Sequence, residues 1–296
     1  MRALIVSLLG LGLMACGSTN YGDKYHGTQI EVQGHRGART VLPENTIPGF
    51  EYALDVGVDT LELDMGVTKD NVVIVNHDQK INPKICQMKD GSPVGDNLWV
   101  RNMTLKEIKQ LDCGSKVNPR FKNQTLKPGT EIPTLDEVFK MVKASKAPIA
   151  KKVLFNIETK SDPKNPMAQP KPAEFARLVL KVVKKHKLQD RVTIQSFDHR
   201  TLREVKKQAP KIQLAALFEH EPDNWVEATK SAKADIVSPY FKFLSKEEVK
   251  TMQAAGLKVI PWTANDASDW ADLIELGVDG IITDDPKPLM KMLGRL

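Results

Sequence analysis

Thr60-Leu61-Glu62-Leu63-Asp64-Met65 is the stretch on which the fold turns. As a strand it alternates faces with a period of two, so Leu61, Leu63 and Met65 point one way and Glu62 and Asp64 the other. Burying an unpaired charge costs several kcal/mol or more. Two carboxylates on one face of a buried strand are therefore expected to hold a cation, meet cationic side chains, or share a proton. The competing reading is a half-exposed amphipathic strand with its acids in water. What flanks the stretch bears on the choice: His35-Arg36-Gly37 before it and His77-Asp78 after it.

Outward from this strand, β-rich runs alternate with helix-period segments from residue 29 onward. That is the pattern of a parallel sheet with crossover helices. The strand candidates are Gln29–His35, Asp59–Met65, Val153–Thr159, Val192–Phe197, Ile212–Phe218, Asp235–Pro239, Lys258–Thr263 and Val278–Thr283. Helix candidates lie between them at Ile47–Val56, Leu135–Lys146, Ala173–Lys187, His199–Gln208, Asn224–Lys233, Lys246–Ala255 and Asp266–Leu276. Start signals are present: Thr134 with Glu137 has capping-box spacing, Ser245 precedes Lys246-Glu247-Glu248, and Asn45 or Thr46 can cap the first helix. Gly57, Gly256 and Gly277 mark stops. Eight strands with intervening helices over 29–296 predict an α/β protein, a (β/α)₈ TIM barrel.

Val72–His77 departs from the parallel scheme. Only Lys69-Asp70-Asn71 precedes it, far short of a parallel crossover, so it is expected to be a hairpin. A turn centred between Lys69 and Asp70 pairs residues whose numbers sum to 139, setting His77 opposite Glu62 and Val75 opposite Asp64. Residues 79–133, rich in Pro and Gly, are too long for a structureless loop and are expected to form a small insertion subdomain over the barrel mouth.

The N-terminus suggests export. Arg2 and the apolar run Ala3–Leu13 predict a signal peptide over 1–15; Leu13-Met14-Ala15-Cys16 resembles the lipobox of bacterial lipoproteins, which implies Cys16 as a lipidation site and 16–28 as a tether. An ordinary signal peptide with an incidental Cys is the alternative. The expected location is a bacterial envelope lipoprotein of the outer membrane facing the periplasm. In an oxidising compartment Cys86 and Cys113 are expected to pair rather than remain free thiols, closing a loop of about 27 residues for roughly 3 to 4 kcal/mol. With 41% hydrophobic and 27% charged residues the chain is ordinary for a soluble globular protein. Its net charge of +6 is spread without an Arg-rich or aromatic-interleaved run, which argues against nucleic-acid binding. Oligomeric state is not legible.

Active-site residues of such a barrel lie at the C-terminal ends of the strands. Those ends are polar here: His35-Arg36, Glu62 and Asp64, Asn156-Glu158-Lys160, Gln195, Trp262 and Asp284. Glu62, Asp64 and Glu158 converge from neighbouring strands, and three close carboxylates call for a hard divalent cation, Ca²⁺ or Mg²⁺. A salt-bridge network with Arg36 and Lys160 is the alternative. Two cations and two histidines beside a metal suit a phosphodiester, with Arg36 and Lys160 on the phosphate oxygens and His35 and His77 as base and acid.

Gly34-His35-Arg36-Gly37-Ala38, Pro43-Glu44-Asn45-Thr46, Glu62-Leu63-Asp64, His77-Asp78, Glu158-Thr159-Lys160, Gln195-Ser196-Phe197, Trp262-Thr263 and Gly280–Pro286 together resemble the glycerophosphodiester phosphodiesterase family. The match runs in order through nearly the whole mature chain. The resemblance implies a TIM barrel that hydrolyses glycerophosphodiesters to glycerol 3-phosphate and an alcohol. It implies metal ligation by Glu62, Asp64 and Glu158, acid/base work by His35 and His77, and phosphate contacts from Arg36 and Lys160. Glu44 and Gln195 are expected to support the site, and Trp262 to form an apolar wall for glycerol. Water or the glycerol 2-hydroxyl is the nucleophile. Alternatives are a lysophospholipase D-like or phosphoinositide phospholipase-like enzyme acting on membrane lipids, and a non-catalytic ligand-binding surface lipoprotein.

Overall fold

The computed structural model describes residues 24–296, with eleven strands. They are β1 Glu31–Gly34, β2 Thr60–Val67, β3 Val73–Val75, β4 Gln87–Met88, β5 Leu111–Asp112, β6 Leu154–Thr159, β7 Val192–Ser196, β8 Gln213–Phe218, β9 Ile236–Pro239, β10 Lys258–Val259 and β11 Gly280–Thr283. Eight of these run parallel in the order β10-β9-β8-β7-β6-β2-β1-β11. Asp279 N–H donates to Val259 O, Ile282 N–H to Pro261 O and Ala264 N–H to Ile282 O, joining the two ends of the series. The result is a closed (β/α)₈ barrel. Each barrel strand coincides with an expected one, because apolar runs bounded by helix-period segments leave little else to form.

The helices Ile47–Val56 and His199–Gln208 occupy their expected residues, and the other five expected helices form with slightly different ends. Capping boxes at Thr134/Glu137 and Ser245/Glu248 begin two of them, while Gly57 and Gly277 end two others in the left-handed conformation. Thr46, rather than Asn45, accepts the first-helix N–H, from Gly49. The principal core lies between barrel and helices and includes Phe50, Leu54, Phe139, Phe155, Phe175 and Leu289. Inside the barrel, a small apolar set, Ala215, Ile236, Ile260 and Ile282, occupies one side. The opposite side is polar.

Two expectations need correction. The hairpin pairs Met65 with Val75, Gly66 with Ile74 and Val67 with Val73, a sum of 140 rather than 139. Asn71 takes a positive φ of 62° and makes the loop three residues long between Thr68 and Val72, which slips the register by one. His77 is therefore not opposite Glu62 in the ladder; β3 ends at Val75 and His77 follows it in a loop. The boundary of the tether also shifts. Lys24–Thr28 is packed, not free: Tyr25 is buried and its hydroxyl donates to Glu275 at 2.8 Å, Lys24 pairs with Glu275, and Gly27 N–H donates to Leu293 O. The expected signal peptide, Cys16 and most of the tether lie outside the described residues.

The segment 79–133 carries β4, β5, the short helix Leu105–Ile108 and its own apolar cluster, including Ile81, Val94, Val100, Ile108 and Ile132. A disulfide joins Cys86 to Cys113 within that cluster. Among the described residues no helix is long and apolar enough to cross a membrane.

Candidate active site

Register builds the centre of the site. β2 pairs with β6 so that Asp64 lies beside Glu158 and Glu62 beside Asn156; β6 pairs with β7 so that Glu158 lies beside Gln195. In-register neighbours of a parallel sheet share a face, so these groups point together into the barrel. One carboxylate oxygen from each of Glu62, Asp64 and Glu158 lies within 4.8 Å of the others, and all three residues are buried. Below them runs a chain of amides. Asn156 Nδ2 donates to Gln33 Oε1 at 2.8 Å and to Gln195 Oε1 at 2.9 Å, which leaves the Gln195 amide N–H to donate to Glu62 Oε1 at 2.7 Å.

The turn after β1 supplies the next group. Gly34 N-terminal to it and Gly37 within it permit the close fold-back: a Cβ on Gly34 would lie 2.3 Å from Gly37 O, and Gly37 has φ of 91° and sits against the backbone of Gly49. Arg36, itself at φ of 51°, turns its backbone N–H onto Glu62 Oε2 at 2.9 Å. Its guanidinium reaches Glu44 Oε1 at 2.7 Å and stands 3.1 Å from Asp64 Oδ2. Asn45, also at positive φ, donates to Asp64 Oδ2 at 2.8 Å. Asn45 is thus a holder of a site carboxylate rather than a helix cap.

His35 Nδ1 meets Asp284 Oδ1 at 2.5 Å, and its Nε2 lies 3.8 Å from Glu62 Oε2. Asp284 is fully buried and also accepts from Arg39 Nε at 2.5 Å and Asn265 Nδ2 at 2.9 Å. Burial, then Arg39, pushes the His35 imidazole down to about 4, and the Asp284 carboxylate, whose charge Arg39 shares, does not offset them. His77 is held by Asp78, Nδ1 to Oδ1 at 2.7 Å. Lys160 Nζ donates to Glu158 Oε1 at 2.6 Å and stands 3.7 Å from Asp64 Oδ1.

The carboxylates do not balance one another. Burial pushes Glu62 well up, and Asp64 and Glu158 push it further; burial also raises Glu158. Asp64 goes the other way: burial works against its ionisation, but Arg36 and then His77, Lys160 and His35 hold it well below the usual carboxylate range. Its Oδ1 is nonetheless buried without a hydrogen-bond partner. An orphaned anionic oxygen facing two other carboxylates, with oxygen donors only, fits a hard divalent cation.

A cavity of about 290 Å³ opens over this cluster. His35, Arg36, Lys160 and His77 line its charged side, and Phe197, Tyr240, Phe241 and Trp262 its aromatic side. Trp262 is fixed by its Nε1–H donating to Ser238 O at 3.0 Å and by edge contacts with Phe197 and Tyr240. The structure thus brings His35, His77, Arg36, Lys160, Trp262, Glu62, Glu158 and Gln195 to the lining of one cavity, with Asp64 buried against Glu62 and Glu158 and Glu44 bonded to Arg36. Cys86 and Cys113 lie in the insertion. Cys16 is outside the described residues. Sequence reasoning missed Arg39, Asn45 as a carboxylate partner, and Arg120, which reaches the cavity from the insertion. Asp284 stood out as a polar strand end and as part of the Gly280–Pro286 motif, with no role attached.

A barrel with paired histidines, oxygen-only metal donors and cations at the strand ends defines a phosphodiester hydrolase. The glycerophosphoryl diester phosphodiesterase family model matches residues 35–288, and the chain belongs to that family. It is 35% identical over 265 residues to a glycerophosphodiester phosphodiesterase of Caldanaerobacter subterraneus subsp. tengcongensis, covering 88% of this chain and 97% of that enzyme. It is 30% identical to one of Bacillus subtilis, over 96% and 95% of the two chains. A solved structure from Silicibacter pomeroyi with the same family description superposes with a TM-score of 0.83 at 31% identity, over 90% and 94% of the chains. An Oleispira antarctica phosphodiesterase solved with the product sn-glycerol-3-phosphate gives 0.74 at 25% identity, over 90% and 97%.

Proposed function

We propose that the protein hydrolyses glycerophosphodiesters to glycerol 3-phosphate and an alcohol with one divalent cation, Ca²⁺ or Mg²⁺, held by Glu62, Asp64 and Glu158. The observation that carries this reading is the buried carboxylate trio with an orphaned Asp64 oxygen, two of whose members line the same cavity as both histidines. The relative solved with sn-glycerol-3-phosphate supports the product. When bound, the cation polarises the phosphoryl group and offsets its negative charge.

The remaining work falls to side chains. Arg36 and Lys160 face the phosphate oxygens and are kept in place by Glu44 and Glu158. His35, neutral at ordinary pH and with Nδ1 committed to Asp284, offers Nε2 as general base toward the nucleophile, either water directly or the glycerol 2-hydroxyl, whose cyclic phosphate is then opened by water to glycerol 3-phosphate. His77, oriented by Asp78, protonates the departing alkoxide. The Trp262 wall takes up the carbon face of the glycerol.

Release of glycerol 3-phosphate from glycerophosphocholine, glycerophosphoethanolamine and glycerophosphoglycerol, with and without chelator, tests the reading. Turnover abolished by chelation and restored by Ca²⁺ or Mg²⁺ is the expected result; undiminished activity in His35→Ala or His77→Ala would overturn the acid/base assignment. The proposed location is the bacterial envelope, with a lipid on Cys16. Intact-mass measurement of the membrane fraction checks it.

A further inference from the structure

Four cationic side chains line the cavity: Arg36, Arg39, Lys160 and Arg120. Three are committed. Arg36 pairs with Glu44 and Asp64, Arg39 with Asp284, and Lys160 with Glu158. For Arg120, no carboxylate lies within ion-pair distance among the described residues, and its one hydrogen bond is from its backbone N–H to Asn118 Oδ1 at 3.0 Å. An exposed arginine is usually only solvated surface. This one differs because it lines the cavity that holds both histidines.

Its position is built. Arg120 belongs to the insertion, and the chain around it is strapped to the turn after β1. Gln124, itself buried, donates from Nε2 to Arg39 O at 2.6 Å and Leu42 O at 2.8 Å, and Thr125 N–H donates to Val41 O at 2.8 Å. The Phe121 ring meets the Arg39 guanidinium at 5.1 Å and that of Arg120 at 5.5 Å, so one aromatic residue spaces the committed cation from the uncommitted one. At the base of the strap, the disulfide and the bond from Lys116 Nζ to Pro83 O hold the insertion to itself.

Chemistry narrows what such a group can meet. In a glycerophosphodiester the glycerol half carries only hydroxyls, so any anion besides the reacting phosphate must sit on the alcohol. The reacting phosphate already has Arg36 and Lys160. We propose that Arg120 forms an anion subsite for the leaving alcohol, so that the enzyme prefers glycerophosphodiesters whose alcohol bears a further phosphate or a carboxylate. This rests on the diesterase reading above.

The test compares kcat/KM on three substrates: glycerophosphoglycerol carrying a terminal phosphate (anionic), glycerophosphoglycerol (neutral) and glycerophosphocholine (cationic). Arg120→Ala is expected to lower the anionic-to-neutral ratio about tenfold, through KM, the scale of one charge-assisted contact. Arg120→Glu should lower it further and improve the cationic substrate relative to the neutral one, while Arg120→Lys recovers most of the ratio. An equal loss on all three substrates would place Arg120 on the reacting phosphate and overturn the proposal. An unchanged ratio in both Ala and Glu variants, with melting temperatures matching the wild type, would overturn it as well. Wild-type protein inert toward every diester instead overturns the parent reading, and is seen before any variant is made.

Discussion

The carboxylate of Asp284, just past the last barrel strand, accepts the Nδ1–H of His35, just past the first, at 2.5 Å. A carboxylate can only accept, so Nδ1 carries the proton and Nε2 is left as a base facing the cavity. Barrel closure thereby sets a tautomer. Asp284→Asn would present an amide to the same nitrogen and strip Arg39 of its nearer counter-ion, leaving only Glu44 Oε2 at 3.9 Å. The expected result is a loss of about 100-fold or more in kcat with a smaller change in KM, and a stability loss of about 3 kcal/mol from the buried guanidinium left with only its more distant partner. Steady-state kinetics with thermal melts check both, and a well-folded variant with wild-type kcat would refute the relay.

A second expectation concerns acid. The unfolded imidazole binds its proton below about 6.5, while folded His35 does so only below about 4. Between those values the unfolded state binds more protons, so stability falls as pH drops through that window and levels off beneath it. One proton across it corresponds to about 3 kcal/mol. Urea unfolding of wild type and His35→Gln at pH 7, 5.5 and 4.5 should show the wild type losing more; parallel losses would remove His35 as the source.

The carboxylate trio makes cation binding visible without turnover. A ligand that binds only the folded state stabilises it by about 2.7 kcal/mol at a hundred times its Kd. Ca²⁺ or Mg²⁺ should therefore raise the melting temperature of the chelator-treated protein by several degrees. Glu158→Gln removes one of the three donors, and the shift should disappear or need far more metal. A full shift retained in that variant would locate the cation elsewhere.

Gly34→Ala probes the turn that aims Arg36. The added Cβ would come within 2.3 Å of the Gly37 carbonyl oxygen, a backbone atom with no freedom to retreat. A destabilisation of about 2 kcal/mol or more is expected, with loss of activity in whatever folds, because the Arg36 N–H then leaves Glu62. Denaturant melts and the release assay measure the two effects, and a silent substitution would show that the turn is more pliant than its contacts imply.

Much of this architecture was readable in one dimension because strand period and helix caps are local properties. Glu62, Asp64 and Glu158 could be placed together since alternation and parallel register both follow from short-range rules. The hairpin register failed by one because a single residue, Asn71, adopts the left-handed conformation, and an Asn at the third position of a three-residue loop was the signal that could have shown it. His77 reaches the cavity all the same, from a loop rather than a ladder. Asn45 looked like a cap because cap chemistry and carboxylate-holding chemistry use the same amide. Arg39 and Arg120 carried no pattern: the first is defined by a partner 245 positions away, the second by its place on the cavity with no ion-pair partner among the described residues. Such roles exist only in three dimensions.

Lys24–Thr28 joins the barrel where the strands begin, against Glu275 and Leu293, while the cavity opens where they finish. Cys16 precedes Lys24 by eight positions, a reach of at most roughly 28 Å. An acyl group on Cys16 would therefore attach at the base of the barrel, the end away from its mouth, and leave that mouth free to face the aqueous compartment. An enzyme so oriented meets deacylated, freely diffusing diesters head on. A lysolipid embedded in the same leaflet would reach such a mouth less readily, so the point of attachment would favour one of two substrates that share the same scissile bond.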